Sequence, residues 1–472
     1  MKKTVVLNVV GLSPRLIGKY TPFLEKWSKK GKQLNIKPLL PSVTCSSQAT
    51  YFTGKWPNEH GIVGNGWCFR DEYEIKFWRQ SNRLVQAPKL WEELKKQDSN
   101  FTCANMFWWF NMNSMVDFAV TPRPLYPATG LKLPDIHSQP MNLREKLQEE
   151  LGQFPLFSFW GPNANIESTR WIADASMLVD QWHDPTLSLI YLPHLDYNLQ
   201  REGINFSKID KDLQEIDKIC EDLITYYENK GAEVLIVSEY GITDVNNPVH
   251  INRVLRQNGY ITVKDEIGKE TLDTWASMAF AVVDHQLAHI YIKDAKDIPA
   301  IKELLNKTPG IELVLDDKGK IEHHLDHERA GDLVIMADEK SWFTYYFWLD
   351  DKKAPDYART VDIHRKPGYD PVETFADPNI RFLKAKIGLK LLKKKFGFRY
   401  LMDVIPLDAS LVKGSHGRLS TEKKDWPLLI TQHPEITKKQ TIEPVEVYQL
   451  IIKHLLNDSD KVEFQHDSYK EQ

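Results

Sequence analysis

Three continuous apolar runs, separated by stretches of helical periodicity, constrain this chain more than any other feature. They are Thr4–Val10, Leu187–Leu192 (LSLIYL) and Glu233–Val237 (EVLIV). A strand without polar alternation has both faces buried, as in a parallel sheet covered by helices. Around these runs lie segments with apolar residues three and four apart. Tyr20–Gly31 carries Phe23, Leu24 and Trp27 and stops at a glycine. Ile209–Lys230 carries Leu213, Ile216, Ile219, Leu223 and Ile224. The alternation predicts an α/β fold with a mostly parallel central sheet and helices on both faces. Ligands of such sheets bind outside the carboxyl ends of the strands, so chemistry is expected in the loops that follow them.

Two regions interrupt the alternation. Phe101–Asp180 is rich in aromatics and prolines (FWWF, TPRPLYP) and reads as an insertion or cap. Ala279–Ala337 holds AHIYI, a helical pattern at Ile298–Leu305, IELVL and DLVIMA, and reads as a small α+β subdomain. The expected organisation is a first core part over 1–100, the insertion over 101–180, a second core part over 181–265, the α+β subdomain over 266–350 and a last core part over 351–472. A chain of 472 residues with 42% hydrophobic content can bury a core of that size. A net charge of -4 provides no field for a nucleic acid polymer. No run approaches the roughly 18 apolar residues of a membrane span. The apolar stretch after Lys2 and Lys3 is only about seven residues long and reads as a buried strand rather than a signal peptide. Four cysteines in no metal or redox spacing point to reduced thiols and a cytoplasmic location.

Pro41–Asn65 reads PSVTCSSQATYFTGKWPNEHGIVGN. This stretch resembles the nucleophile segment of the alkaline phosphatase superfamily, in the form found in its nucleotide pyrophosphatase/phosphodiesterase and phosphonoacetate hydrolase branch. The resemblance implies an alkaline phosphatase-like core and hydrolysis of a small phosphodiester, pyrophosphate or phosphonate. It also implies Thr44 as nucleophile and Asn65 as a contact to a phosphate oxygen; Cys45, adjacent in sequence, could compete as nucleophile, but the resemblance places Thr44 in that role. Asp196, after LSLIYLPHLD, and His416, in Gly-Ser-His-Gly, match two ligands of one metal ion. Family members of this kind hold two metals, usually zinc. A threonine hydroxyl is a poor nucleophile at neutral pH. A bound metal lowers its pKa, and a second one about 4 Å away stabilises the opposite side of the displacement.

The sequence departs from that pattern at several ligand positions. The aspartate expected at the end of the first strand is Val10, the histidine four residues after Asp196 is Gln200, and Ser-Asp-His-Gly has become Ser238-Glu239-Tyr240-Gly241. The donor set is then Asp196, His416 and Glu239, with Gln200 and Tyr240 as unusual members. Asn8 could add an amide oxygen, and His194, two before Asp196, is a further candidate if the strand continues. Fewer imidazoles shift the preference from zinc toward magnesium, manganese or calcium, as one or two ions. The second functional reading is a catalytically altered or inactive member that binds or remodels a phosphorylated metabolite or biosynthetic intermediate.

Other clusters admit plainer readings beside functional ones. Arg365 and Lys366, in DIHRKPGYDP, either clamp a phosphate or carboxylate or belong to a structural loop. His323, His324, Asp326 and His327 read as a hydrogen-bonded turn ahead of a metal cluster. Asp284, His285 and His289 read as structural polar residues. Phe107–Phe110 reads as core, or as a stacking wall with Arg123 and Lys132 nearby. Lys384–Lys395, apolar at Ile387, Leu391 and Leu392, reads as a solvated helix face ahead of an anionic-surface contact.

Overall fold

Thr4–Val9 lies at the middle of the protein, paired in parallel with Leu187–Leu192 on one side and Glu233–Val237 on the other. These are the three strands that the apolar runs predict, and every residue of the first two is buried. The computed structural model describes residues 1–128, 131–398 and 400–456. Among them the central sheet has nine strands, in the order Thr441–Ile442, Lys32–Ile36, Leu428–Thr431, Glu233–Val237, Thr4–Val9, Leu187–Leu192, Cys103–Met106, Phe118–Pro122 and Ile136–Gln139. The run from Glu233–Val237 to Phe118–Pro122 is parallel throughout. Leu428–Thr431 and Ile136–Gln139 pair antiparallel on its two flanks.

The helices follow from the same patterning. Phe206–Asn229 packs against Pro22–Lys30. The carboxylate of Asp217 accepts the backbone N–H groups of Phe23 and Leu24, each at 2.9 Å. That contact satisfies two donors that the first turn of a helix leaves unpaired. No helix among the described residues is long and apolar enough to cross a membrane.

The stretch 101–180, expected as an insertion or cap, contributes three strands of the central sheet. Cys103–Met106 (CANM) is too short and mixed to read as a buried strand, and the aromatic run beside it dominates the local pattern. The 266–350 stretch contains the expected small sheet, ordered Ala279–Asp284, Leu287–Ile292, Leu333–Ala337 and Ile311–Leu315 and antiparallel throughout. Its first hairpin turns at His285, whose φ of 62° lies in the left-handed region. A non-glycine residue there is held by its surroundings, and such residues cluster at functional sites.

Buried histidines tie these layers together as neutral bridges. His60 spans the Thr50 hydroxyl at 3.0 Å and the Ile62 N–H at 3.1 Å. His289 spans the Val63 carbonyl at 2.9 Å and the Gly331 N–H at 3.1 Å. Burial pushes His60 down to about 3 and His289 down to about 4. Below pH 6.5 the unfolded chain therefore binds protons that the folded one refuses, and stability from these groups is lost on acidification. Going from pH 7.5 to 5 should cost on the order of 2 kcal/mol for each imidazole. His289→Gln keeps one donor and one acceptor, so it should lose less stability than the wild type over that interval. Urea unfolding at the two pH values checks this, and equal losses would refute it.

Candidate active site

Thr44 opens the helix Thr44–Thr53 at the carboxyl end of the parallel strands, with Val43 extended before it. All ten helix residues are buried, so the segment is fixed in place. The Thr44 side chain borders a cavity of about 1420 Å³, at the positively polarised end of its helix. Its hydroxyl lies 3.2 Å from the Tyr240 hydroxyl. Cys45 does not border the cavity, and burial pushes its thiol well up, which suppresses the reactive thiolate. Asn65 also stands behind the cavity wall. Its side-chain oxygen accepts the Cys45 N–H at 3.0 Å, and its own backbone and side-chain N–H groups donate to Asp284 at 2.7 and 3.0 Å. It ties the start of the Thr44 helix to the small sheet.

Asp196, Tyr240, Gln200 and His416 come together beside Thr44. The strand Leu187–Leu192 ends at Pro193, and His194–Glu202 is helical. Asp196 and Gln200 therefore share a helix face, and the Gln200 amide donates to Asp196 at 2.7 Å. The Tyr240 hydroxyl donates to the other Asp196 oxygen at 3.2 Å. The ring of Tyr240 lies flat on His416, 3.5 Å between centroids. His416 is held through Nδ1 by the Ser42 carbonyl at 2.8 Å. Its buried Nε2 has no hydrogen-bond partner and sits 3.8 Å from Asp196 Oδ1.

Glu239 occupies a different environment. One of its oxygens accepts the amides of Asn8 at 2.6 Å and Gln48 at 2.5 Å. Its other oxygen and Asn8 Oδ1 are buried without partners. Val10, at the end of the first strand, is fully buried in the apolar core and offers no donor. Neutral hydrogen-bond donors thus face both remaining carboxyls. Burial raises Asp196 to about 7, against the hydrogen bonds of Tyr240 and Gln200, and raises Glu239 to about 8. Burial also holds His416 well below the usual imidazole range, with His285 adding to the effect. A cation would favour the charged carboxylates and the neutral imidazole. Asp196 and the free Nε2 of His416, 3.8 Å apart, offer two donors to a divalent ion, and the Thr44 hydroxyl is linked to Asp196 through Tyr240. Glu239 and Asn8 add only oxygens.

The other predicted site residues separate. In the helix, His194 does not share a face with Asp196 and turns to Asp212 and Glu215, at 3.1 and 3.5 Å. It does not border the cavity. Lys366 is buried in an ion pair with Asp370 and Glu373, each at 2.7 Å, and is also absent from the cavity wall. Arg365 does border the cavity, paired with Asp362. Arg79, Arg123 and Lys132 line the same wall. Of the aromatic run, Trp109 reaches the cavity, and its backbone N–H donates to Gln48 at 2.7 Å. His327 accepts the Arg329 N–H at 3.1 Å, a local bond of the kind expected of a turn, while its other ring nitrogen meets Gln86 and His324 stacks on Trp56.

Asp284 and His285, read from sequence as structural, belong to the site. The ring of His285 borders the cavity, stacks on Tyr369 at 3.6 Å and lies 3.8 Å from the His416 ring. Its Nδ1 is 2.9 Å from Asp284. The Tyr369 hydroxyl donates to Gln200 at 3.0 Å. The backbone strain at His285 marks this dyad, but only coordinates reveal it.

Fold and site together define an alkaline phosphatase-like α/β protein with a threonine at the head of a buried helix. The chain belongs to the type I phosphodiesterase / nucleotide pyrophosphatase family, whose profile matches residues 4–370. Ectonucleotide pyrophosphatase/phosphodiesterase 2 of Saccharomyces cerevisiae is 27% identical over 264 residues, covering 52% of this chain and 48% of the yeast protein. Ectonucleotide pyrophosphatase/phosphodiesterase C27A7.3 of Caenorhabditis elegans is 20% identical over 311 residues, covering 64% and 34%. The matches thus span half or less of the length of these curated relatives. Among solved structures, human ectonucleotide pyrophosphatase/phosphodiesterase 5 superposes with a TM-score of 0.59 at 14% identity, covering 96% of this chain and 95% of that one. Phosphonoacetate hydrolase from Sinorhizobium meliloti 1021, in complex with phosphonoformate, gives 0.60 at 12% identity, covering 96% of each.

Proposed function

We propose that this protein is a metal-dependent hydrolase of a phosphodiester, pyrophosphate or phosphonate, with Thr44 as covalent nucleophile. The observation that carries this reading is the convergence of Thr44, Asp196 and His416, from three distant segments, with Thr44 and Asp196 lining one cavity. Relatives support the substrate class. Murine ectonucleotide pyrophosphatase/phosphodiesterase 5 is seen in complex with AMP, and phosphonoacetate hydrolase in complex with phosphonoacetate. One divalent ion, held by Asp196 and His416, would supply the positive charge that activates the threonine oxygen and neutralises the phosphoryl group. Tyr240 bridges Thr44 to Asp196 and keeps the hydroxyl in position for attack. Arg79, Arg123 and Lys132 draw the anionic substrate to the cavity wall. His285, oriented by Asp284, lines the same cavity, and burial holds its imidazole well below the usual range, so its role is that of a proton acceptor for the water that frees Thr44.

Val10, Gln200 and Tyr240 favour the second reading, a catalytically altered member that binds or remodels a phosphorylated metabolite. Assays of p-nitrophenyl mono- and diesters under magnesium, manganese, calcium and zinc separate the two. Turnover of a diester supports the hydrolase. Inactivity under every metal, with tight binding of a phosphorylated ligand, supports the alternative. Metal analysis gives an independent check. The Asp196→Ala/His416→Ala double variant should lose most of the bound metal of the wild type, and unchanged content would remove this ion site.

A further inference from the structure

The cavity above Thr44 exceeds the roughly 300–1,000 Å³ of ordinary small-molecule sites, and most of its outer wall is apolar. Leu125, Leu156, Phe159, Trp160 and Val361 form that wall, far more hydrocarbon than a phosphoryl group needs. The helix Leu383–Lys395 borders the mouth, with Ile387 and Leu391 facing the cavity. Leu383, Ile387 and Leu391 recur every four residues and account for one apolar stripe. Ala385, Leu389 and Leu392 form a second stripe on another face. Leu389 is 59% and Leu392 49% exposed, and Phe396 and Phe398 continue the exposed apolar surface beyond the helix. A helix seated against its own protein needs only the first stripe.

The charge around this surface identifies its partner. Arg381–Met402 carries eight Lys and Arg residues and no Asp or Glu, in a chain whose net charge is -4. Lys386 and Lys390 pair with Asp403. Lys384, Lys393 and Lys395 are exposed and have no acidic partner among the described residues. Apolar side chains ringed by lysines match the interface of an anionic bilayer, where hydrocarbon inserts and ammonium groups meet headgroups. Phe398 and Leu401 belong both to the exposed surface and to the cavity wall. The exposed apolar surface is therefore continuous with the wall of the cavity that Thr44 borders.

We propose that the helix Leu383–Lys395, with Phe396, Phe398 and Leu401, is a docking surface for an anionic lipid bilayer, and that the cavity takes the apolar chain of a phosphate ester drawn from it. The substrate half rests on the phosphate-ester reading above; the docking half does not. Two measurements test it. Co-sedimentation with phosphatidylcholine vesicles, with and without phosphatidylglycerol, should show binding only to the anionic ones, weakened by salt. Leu389→Ser/Leu392→Ser alters only exposed side chains and should weaken that binding about tenfold or more with unchanged circular dichroism. Failure of the wild type to bind anionic vesicles, equal binding by the variant, or self-association through this helix in place of vesicle binding would overturn the docking surface. Trp78, Trp109 and Trp160 line the cavity, so tryptophan fluorescence reports occupancy without turnover. Dodecyl phosphate should bind at least about tenfold more tightly than butyl phosphate. Equal affinities would overturn the chain site. Chain-length dependence without hydrolysis of any ester would leave this inference standing and sink the hydrolase reading instead.

Discussion

Thr44→Ala is expected to reduce kcat/KM for a p-nitrophenyl diester by about 10³-fold or more, while Thr44→Ser retains a substantial part of it. The reason is chemical. In a double displacement the nucleophile forms the covalent intermediate, and the remaining groups can only bind and orient. The fold should tolerate the change. Thr44 makes one side-chain hydrogen bond to Tyr240, and losing a bond of that kind costs about 1 kcal/mol. A melting temperature lowered by no more than about 2–4 °C, with activity lost, would assign the effect to chemistry. Activity of the alanine variant within tenfold of the wild type would show that the hydroxyl is not the attacking group. Cys45 is a poor substitute, because its thiol is buried outside the cavity and pushed well above its usual range.

The second large effect concerns stability. Lys366→Met should destabilise the fold by about 3–5 kcal/mol, because it strands two buried carboxylates. Lys366 is 1% exposed and contacts Asp370 and Glu373, themselves almost fully buried. Burial alone would lower its pKa, and the two carboxylates more than offset that, holding it above its usual value. Glu373 also receives the Trp160 indole N–H at 2.6 Å and the Asp362 backbone N–H at 2.9 Å. The ion pair therefore anchors the loop that carries Arg365 and Tyr369 to the cavity wall. Removing all three charges, as Lys366→Met/Asp370→Asn/Glu373→Gln, should recover part of the loss. Guanidinium unfolding measures both, and a loss below about 1 kcal/mol for the single variant would show that the carboxylates find other partners.

The cost of the altered metal positions is visible in the same terms. Where the family resemblance implies charged or imidazole ligands, Gln200 and Tyr240 donate hydrogen bonds to Asp196, and Val10 lies in the core. Gln48, which the sequence did not single out, does the same for Glu239. A glutamine inside a helix carries no motif, so this role is readable only once the helix and the third strand face each other.

The order of elements along the chain was enough to establish the parallel core, and a short motif was enough to show the family resemblance around Thr44. Hydrophobic periodicity and a motif are local properties, and local properties survive in one dimension. The partners of each side chain were not legible. A continued strand would put His194 on one face with Asp196, and the turn into a helix after Pro193 sends it elsewhere. Lys366 is open in sequence to two readings, an anion clamp or a structural loop, and its pairing with Asp370 and Glu373 selects the second. Asp284 and His285 read in sequence as structural polar residues, and a hairpin of the small sheet carries them to Asn65 and His416. The first two outcomes turn on where a helix begins and how a loop closes, and the third on a contact between residues 219 positions apart; all are settled by packing, which the linear pattern does not display.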